Sequence, residues 1–343
     1  MKAAILGFAH AHVGMYIEGW REQPSLGVDV VAGWDHDATR LRDSAAKYGL
    51  EAAADLAVLL ARRDIDAVVI GAETSRHADL VIAAAHAGNR IILQKPLALT
   101  LAQADAIVDV ITATGVPFTL AWQMRVDPQN LRMKELVTSG TLGRVLQVRR
   151  RHGLPAHLWA GFDRSWHVQP ELNRGLWADD AAHAVDFLYW LLGPPRSVMA
   201  EIATLVNPRM PDDNGIAIFR YADGAFAEVV FSATCTAAEN STEIVGENGC
   251  VIQNFGDAPS CNVPRPADAV GLKWFIRDAK AWTDSGLPSP ANHGARIKAL
   301  AGPLADFLHG RRPPIATAAE GRDVLRLTLA CHDAAASGRR ITF

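Results

Sequence analysis

No Cys-x-x-Cys pair, internal repeat or low-complexity tract occurs in this chain. Its four cysteines, Cys235, Cys250, Cys261 and Cys331, are scattered, which argues against a disulfide scaffold or a cysteine zinc site and fits the reduced thiols of a cytosolic protein. An excess of either charge sign is missing as well. Lys and Arg number 34 against 37 Asp and Glu, a formal charge of -3, so no whole-chain field gathers a nucleic acid backbone or an anionic membrane. The apolar opening Ala3-Ala4-Ile5-Leu6 is cut by Gly7 and followed by His10 and His12. That pattern fits neither a signal peptide nor a spanning helix, so the expected location is the cytoplasm.

What is present is enough apolar material, 49% of 343 residues, for a large core and more than one domain. Up to about Leu120, short apolar runs alternate with helical patterns. Strands are expected at Ala3 to Leu6, Val28 to Trp34, Ala67 to Ile70, Arg90 to Leu93 and Val116 to Ala121. Between them Ala, Leu and Val recur at helical spacing over Ala38 to Tyr48, Asp55 to Arg62, Ala78 to Ala87 and Leu101 to Thr114. This is the pattern of βαβ units on a parallel sheet. After a helix at Gln129 to Ser139, strands follow one another at Arg144 to Arg151, Ser197 to Val206, Gly215 to Tyr221, Ala225 to Cys235 and Thr242 to Gln253. The alternation from Gly215 to Tyr221, with the turn Asp223-Gly224 after it, reads as a hairpin in an antiparallel sheet. Helices at Gly294 to His309 and Glu320 to Ser337 close the chain.

The first strand runs into Gly7-Phe8-Ala9-His10-Ala11-His12-Val13-Gly14 and then a helix, where backbone N–H groups can meet a pyrophosphate. The Gly-x-Gly-x-x-Gly pattern is incomplete, with Ala9 and His12 in place of its second and third glycines. Either His10 or His12 can donate to a pyrophosphate, whereas His-x-His without a Cys or carboxylate partner makes no tetrahedral metal set. The second strand ends on Asp35, placed to accept from a ribose diol and to repel a 2'-phosphate. NAD is therefore expected over NADP, with Arg40 the one nearby cation able to reach a phosphate.

Gln94-Lys95-Pro96-Leu97-Ala98, after the fourth strand, resembles the Glu-Lys-Pro motif of the glucose-fructose oxidoreductase and inositol dehydrogenase family (Gfo/Idh/MocA). Thr74 to His77, Trp122 to Pro128, Leu136 to Val145 and the segment Asp179-x-x-x-His183-x-x-Asp186 resemble further segments of that family in the same order. The resemblance implies an amino-terminal Rossmann domain, roles for Thr74, His77 and Gln94 beside the cofactor, His183 as general acid/base, Lys95 polarising the reacting oxygen, and Asp179 anchoring substrate or imidazole. Gln94 stands where the family has Glu, which keeps the shape and removes a charge beside Lys95.

The residues alone support similar chemistry. Oxidising an alcohol by hydride transfer needs a proton acceptor, which Lys95, Asp179 or His183 can supply. Asp179 and His183 are four apart and Asp186 three further on, so a regular helix puts all three on one stripe, with two carboxylates about one imidazole. Which of Lys95 and His183 takes the proton stays open. Between the motifs, His152, His157, Trp159, Trp166 and His167 offer donors and flat faces for a polyhydroxylated substrate, and Arg125 is a cation suited to a substrate oxygen or carboxylate.

The expected architecture is α/β followed by α+β: a doubly wound parallel sheet over residues 1–121, and a large, mostly antiparallel open sheet over 122–343, with the last helices able to pack back on the first domain. The expected activity is NAD-dependent oxidation or reduction of a sugar or cyclic polyol, in a homodimer or homotetramer. An epimerase, eliminase or glycosidase that retains its NAD, and a non-catalytic dinucleotide-binding regulator, are the alternatives.

Overall fold

Ala3 to Leu6 and Ala67 to Ile70 are wholly excluded from solvent, because each run is apolar on both faces and is sandwiched in a parallel sheet. The computed structural model describes residues 1–237, 240–254, 270–290 and 292–343; Cys261 lies outside these. The chain divides into two compact units, one of residues 1–123, 171–173 and 297–325, the other of 124–170, 174–296 and 326–343.

In the first unit the described strands are β1 (Lys2–Leu6), β2 (Asp29–Trp34), β3 (Glu51–Ala52), β4 (Ala67–Ile70), β5 (Arg90–Leu93) and β6 (Phe118–Leu120), all paired in parallel in the order β3-β2-β1-β4-β5-β6. The order reverses between β1 and β4, the place where such sheets open a crevice beyond their strand ends. The segments starting at Gly7, Asp35, Gly71 and Gln94 leave that same edge. Helices begin where the sequence provides caps: the Asp37 carboxylate accepts from Thr39 and Arg40 N–H at 2.9 and 3.0 Å, and Thr100 caps Leu101–Thr114. The late segment 297–325 belongs to this unit, with Trp20 donating its indole N–H to the Ala301 carbonyl at 2.8 Å and Leu120 N–H reaching the Ala316 carbonyl at 2.9 Å.

The second unit is built on β7 (Val145–Gly153), β8 (Ser197–Ala203), β9 (Asn214–Arg220), β10 (Phe226–Ser232), β11 (Ser241–Gly246), β12 (Gly249–Gln253), β13 (Leu272–Ile276), β14 (Trp282–Asp284) and β15 (Ile341–Thr342). The described strands lie in the order β14-β13-β12-β11-β7-β10-β9-β8-β15, with β7 and β10 parallel and the other neighbours antiparallel. Alternation sorts the two faces: Ala217, Phe219, Val229 and Phe231 are buried, while Ile216, Ile218 and Phe226 on the opposite face are exposed.

Two expected elements are broken. Thr242 to Gln253 is not one strand but β11 and β12, joined through Glu247 and Asn248; a turn before Gly249 lets the chain fold back on itself. Gly294 to His309 is likewise two helices, His293–Lys298 and Ala301–Leu308. Pro303 in the first turn of the second helix has no N–H and crowds the carbonyl four residues before it, which explains the interruption. Strands β3, β13, β14 and β15 were not anticipated, since runs such as Glu51–Ala52 and Ile341–Thr342 are too short to carry a period.

Candidate functional site

Gly7 holds φ +87°, and a Cβ there would lie 2.5 Å from the backbone of Ala72, so this turn requires glycine. The helix His12–Glu22 that follows has no side-chain cap and no acidic residue in its first turn. A helix start with no side-chain cap from its N-cap residue and no acid in its first turn fits an anion such as a pyrophosphate. At Gly14 a Cβ would meet the Tyr48 hydroxyl at 2.1 Å, so any larger residue there would displace the Tyr48 ring. His10 and His12 are buried with ring centroids 4.2 Å apart, and His12 N–H points to His10 Nδ1 at 3.4 Å. His10 N–H donates to the Gly71 carbonyl at 2.8 Å, which ties the loop to the end of β4.

At the end of β2 the buried Asp35 accepts from Phe8 N–H at 2.7 Å and from Asp37 N–H at 2.9 Å. Arg40 adds a two-pronged pair, Nε to Oδ2 at 2.7 Å and Nη2 to Oδ1 at 2.8 Å. Burial acts to raise the Asp35 carboxyl, but these donors outweigh it and hold it below the ordinary carboxylate range. The carboxylate expected to receive a ribose is therefore ionised, and its guanidinium neighbour rests on it. Glu73, from the loop after β4, accepts from the same Arg40 Nη2 at 2.9 Å.

Gln94 and Lys95, at 0% and 2% exposure, leave β5 on the same edge of this sheet. Gln94 Nε2 donates to Tyr16 Oη at 2.5 Å, and burial drives the Tyr16 phenol above its ordinary range. At this position the chain thus presents a neutral amide to a neutral phenol. The ring nitrogens of His77 lie 2.9 Å from the Pro96 carbonyl and 3.3 Å from the Ala72 carbonyl. Burial pushes His77 down to about 4, so the ring is neutral and braces the peptide following Lys95. Thr74 donates to Asn173 Oδ1 at 2.6 Å.

In the second unit Asp179 and His183 are both buried. Asp179 Oδ2 lies 2.7 Å from His167 Nδ1, and the His183 ring centroid is 5.5 Å from that of His152, which in turn stacks on Phe231. A chain of rings leads outward from Asp179. Trp166 stacks on His167 at 3.9 Å, Phe162 stacks on the same imidazole at 5.6 Å, and Trp159 packs edge-on to Phe162 at 5.3 Å. Trp159 is 40% exposed, which leaves a flat face available to a ring-shaped ligand. His157 is only half-buried, in the turn of helix that follows β7.

The one-stripe expectation meets a complication. Trp177–Ala181 forms a π-helix, and regular α-helix resumes at Ala182–Leu192. The spacing of Asp179 from His183 is thus not that of a straight α-helix, a departure that recurs at functional sites. Asp186 receives the buried Arg125, with Nη2 to Oδ1 at 2.8 Å and Nε 3.2 and 3.1 Å from the two carboxylate oxygens.

Among the partners that escaped the sequence reading are Glu73 for Arg40, Asn173 for Thr74 and His167 for Asp179. None is separated by a helical or strand period from the residue it meets, so no local signal announces it. Among the described residues, no group of three or more His, Cys, Asp or Glu is placed to hold a metal ion.

Comparison with known proteins fits this geometry. Residues 1–121 match the family described as "Oxidoreductase family, NAD-binding Rossmann fold", and residues 130–252 match the "GFO/IDH/MocA C-terminal domain". The chain is 28% identical to inositol 2-dehydrogenase 3 of Saccharopolyspora erythraea over 318 residues, covering 84% of this chain and 88% of that protein. It is 26% identical to 1,5-anhydro-D-fructose reductase of Ensifer adhaerens over 322 residues, covering 92% and 91%. In fold it is similar to the WlbA dehydrogenase from Bordetella pertussis, solved with NADH and UDP-GlcNAcA, with a TM-score of 0.79, 23% identity and coverage of 100% and 98%.

Proposed function

Because the chain belongs to the Gfo/Idh/MocA family of oxidoreductases, we propose that it moves a hydride between NAD and a hydroxyl-bearing carbon of a sugar or cyclic polyol. The observation that carries this reading is the group of buried ionisable side chains in the second unit, Asp179 lying 2.7 Å from His167 Nδ1, with the buried His183 four residues further along the chain. Buried ionisable side chains gathered around one imidazole are the usual material of a site that moves protons. The relatives named for inositol and 1,5-anhydro-D-fructose point to the same class of substrate.

The residues fit a nicotinamide dinucleotide: the uncapped helix at His12 suits the pyrophosphate, and the ionised Asp35 suits an adenosine ribose diol. Bound NAD accepts or returns the hydride. The protein manages the proton. His183 takes it from the substrate hydroxyl during oxidation and returns it during reduction, while Asp179 orients donors around the substrate. Lys95, kept in place by the Pro96 peptide that His77 braces, polarises the reacting oxygen. Trp159 and Trp166 supply flat apolar faces for the substrate ring.

A panel of inositols, aldoses, lactones and 1,5-anhydro sugars, tested with NAD and NADP, checks the assignment. Release of reduced nicotinamide in step with substrate loss is the expected result. Turnover with NAD that never leaves the protein would replace it with an epimerase, eliminase or glycosidase.

The outward face of the nine described strands, with Met199, Ile216, Ile218 and Phe226 each 41 to 46% exposed, is assigned to a second copy of the chain, giving a homodimer or homotetramer. Among the described residues no helix is long and apolar enough to cross a membrane, and Cys235, Cys250 and Cys331 are free thiols. A cytoplasmic site of action accords with both. Native mass measurement checks the pair of statements: monomers alone remove the first, and a disulfide-linked chain the second.

A further inference from the structure

Glu73 is 4% exposed, although it sits in a loop at the carboxyl edge of the first sheet, where an unpaired carboxylate could have turned to water. Its Oε1 accepts from Arg40 Nη2 at 2.9 Å. Its Oε2 makes no hydrogen bond among the described residues; the His36 ring nitrogen Nδ1 lies 3.7 Å away and the Arg76 guanidinium Nε 3.9 Å away. Glu73 thus stands between two arginines, one from the helix after β2 and one from its own loop.

Those arginines matter because of what they could otherwise do. Arg40 lies against Asp35, the carboxylate assigned to the ribose diol, and Arg76 is 43% exposed on its side chain. A guanidinium at such an edge is the group that receives a 2'-phosphate in a bidentate pair. Burial acts to lower Arg40, yet Asp35 and Glu73 together raise it above its ordinary range, so its charge is fully claimed from within the protein.

We propose that Glu73 is a specificity-determining residue for the cofactor, disfavouring the phosphorylated dinucleotide by setting a second carboxylate on Arg40, which Asp35 already holds through two hydrogen bonds, and by attracting Arg76, whose Nε lies 3.9 Å away. The proposal rests on the NAD-binding reading above and deepens it. Asp35 repels a 2'-phosphate directly; Glu73 adds a second negative charge and draws Arg76 away from such a phosphate.

The test is direct binding, read by fluorescence titration of the purified protein with NADH and with NADPH, with no substrate present. Glu73→Gln keeps the shape and cancels the charge. The ratio of the NADPH to the NADH dissociation constant is expected to fall at least about tenfold, the worth of a single charge-assisted hydrogen bond from a released guanidinium to the 2'-phosphate. A ratio equal to that of the native protein overturns the proposal. Should Glu73→Gln fail to fold, Arg76→Ala gives an independent reading, since this side chain is half-exposed. If Glu73 already claims Arg76, its removal leaves the ratio within about twofold; a roughly tenfold rise would mean that Arg76 serves a phosphate already, and the proposal is lost. Absence of any NADH binding by the native protein is a different failure, that of the NAD reading itself.

Discussion

Replacing His183 by Asn is expected to lower kcat by about 10²- to 10⁴-fold, the range contributed by a positioned acid/base group, with NADH binding retained. Asn fills much of the same space and keeps hydrogen-bonding capacity next to His152, so the packing around Phe231 has no reason to collapse. Lys95→Met is expected to reach the same range by a different route, because it removes a cation from the reacting oxygen and leaves the proton carrier in place. The two variants therefore separate in pH dependence. The limb of the kcat/KM profile that belongs to an imidazole disappears in His183→Asn and persists in Lys95→Met. If His183→Asn retains more than about a tenth of native kcat, proton transfer has been assigned to the wrong side chain.

The parallel half of the molecule was legible because burial on both faces forces continuous apolar strands, and caps such as Asp37 and Thr100 mark where helices start. The site was legible to the extent that its residues sit at strand ends. Asp35 follows β2 directly and Lys95 lies two residues past the end of β5, so identifying the strand locates the side chain. The failures have a common cause. The π-turn at Trp177–Ala181, the split of Thr242 to Gln253 and the break before Pro303 are departures from periodicity over two to five residues, shorter than the window in which a period can be counted. Long-range partners were invisible for another reason: Glu73 and Arg40 are brought together by two crossovers of the sheet, and nothing in either segment encodes the meeting.

Arg125 illustrates how such a partner changes a reading. Sequence made it a cation for substrate, and the structure sets it on Asp186 with both groups almost wholly buried. A pair of this kind is costly to break from one side, since the charge that remains has lost its water as well as its partner. Asp186→Ala is expected to destabilise the fold by about 3–5 kcal/mol, seen as a lower denaturation midpoint under otherwise identical conditions. Arg125→Met is expected to cost less, because a stranded carboxylate can take up a proton whereas a stranded guanidinium cannot lose one. The two changes together, Arg125→Met with Asp186→Leu, replace the pair by apolar groups and are expected to recover much of the loss. Losses that simply add would mean that the pair carries little coupling. A native midpoint for Arg125→Met, combined with a raised KM for substrate, would return the guanidinium to the substrate and take it away from the fold.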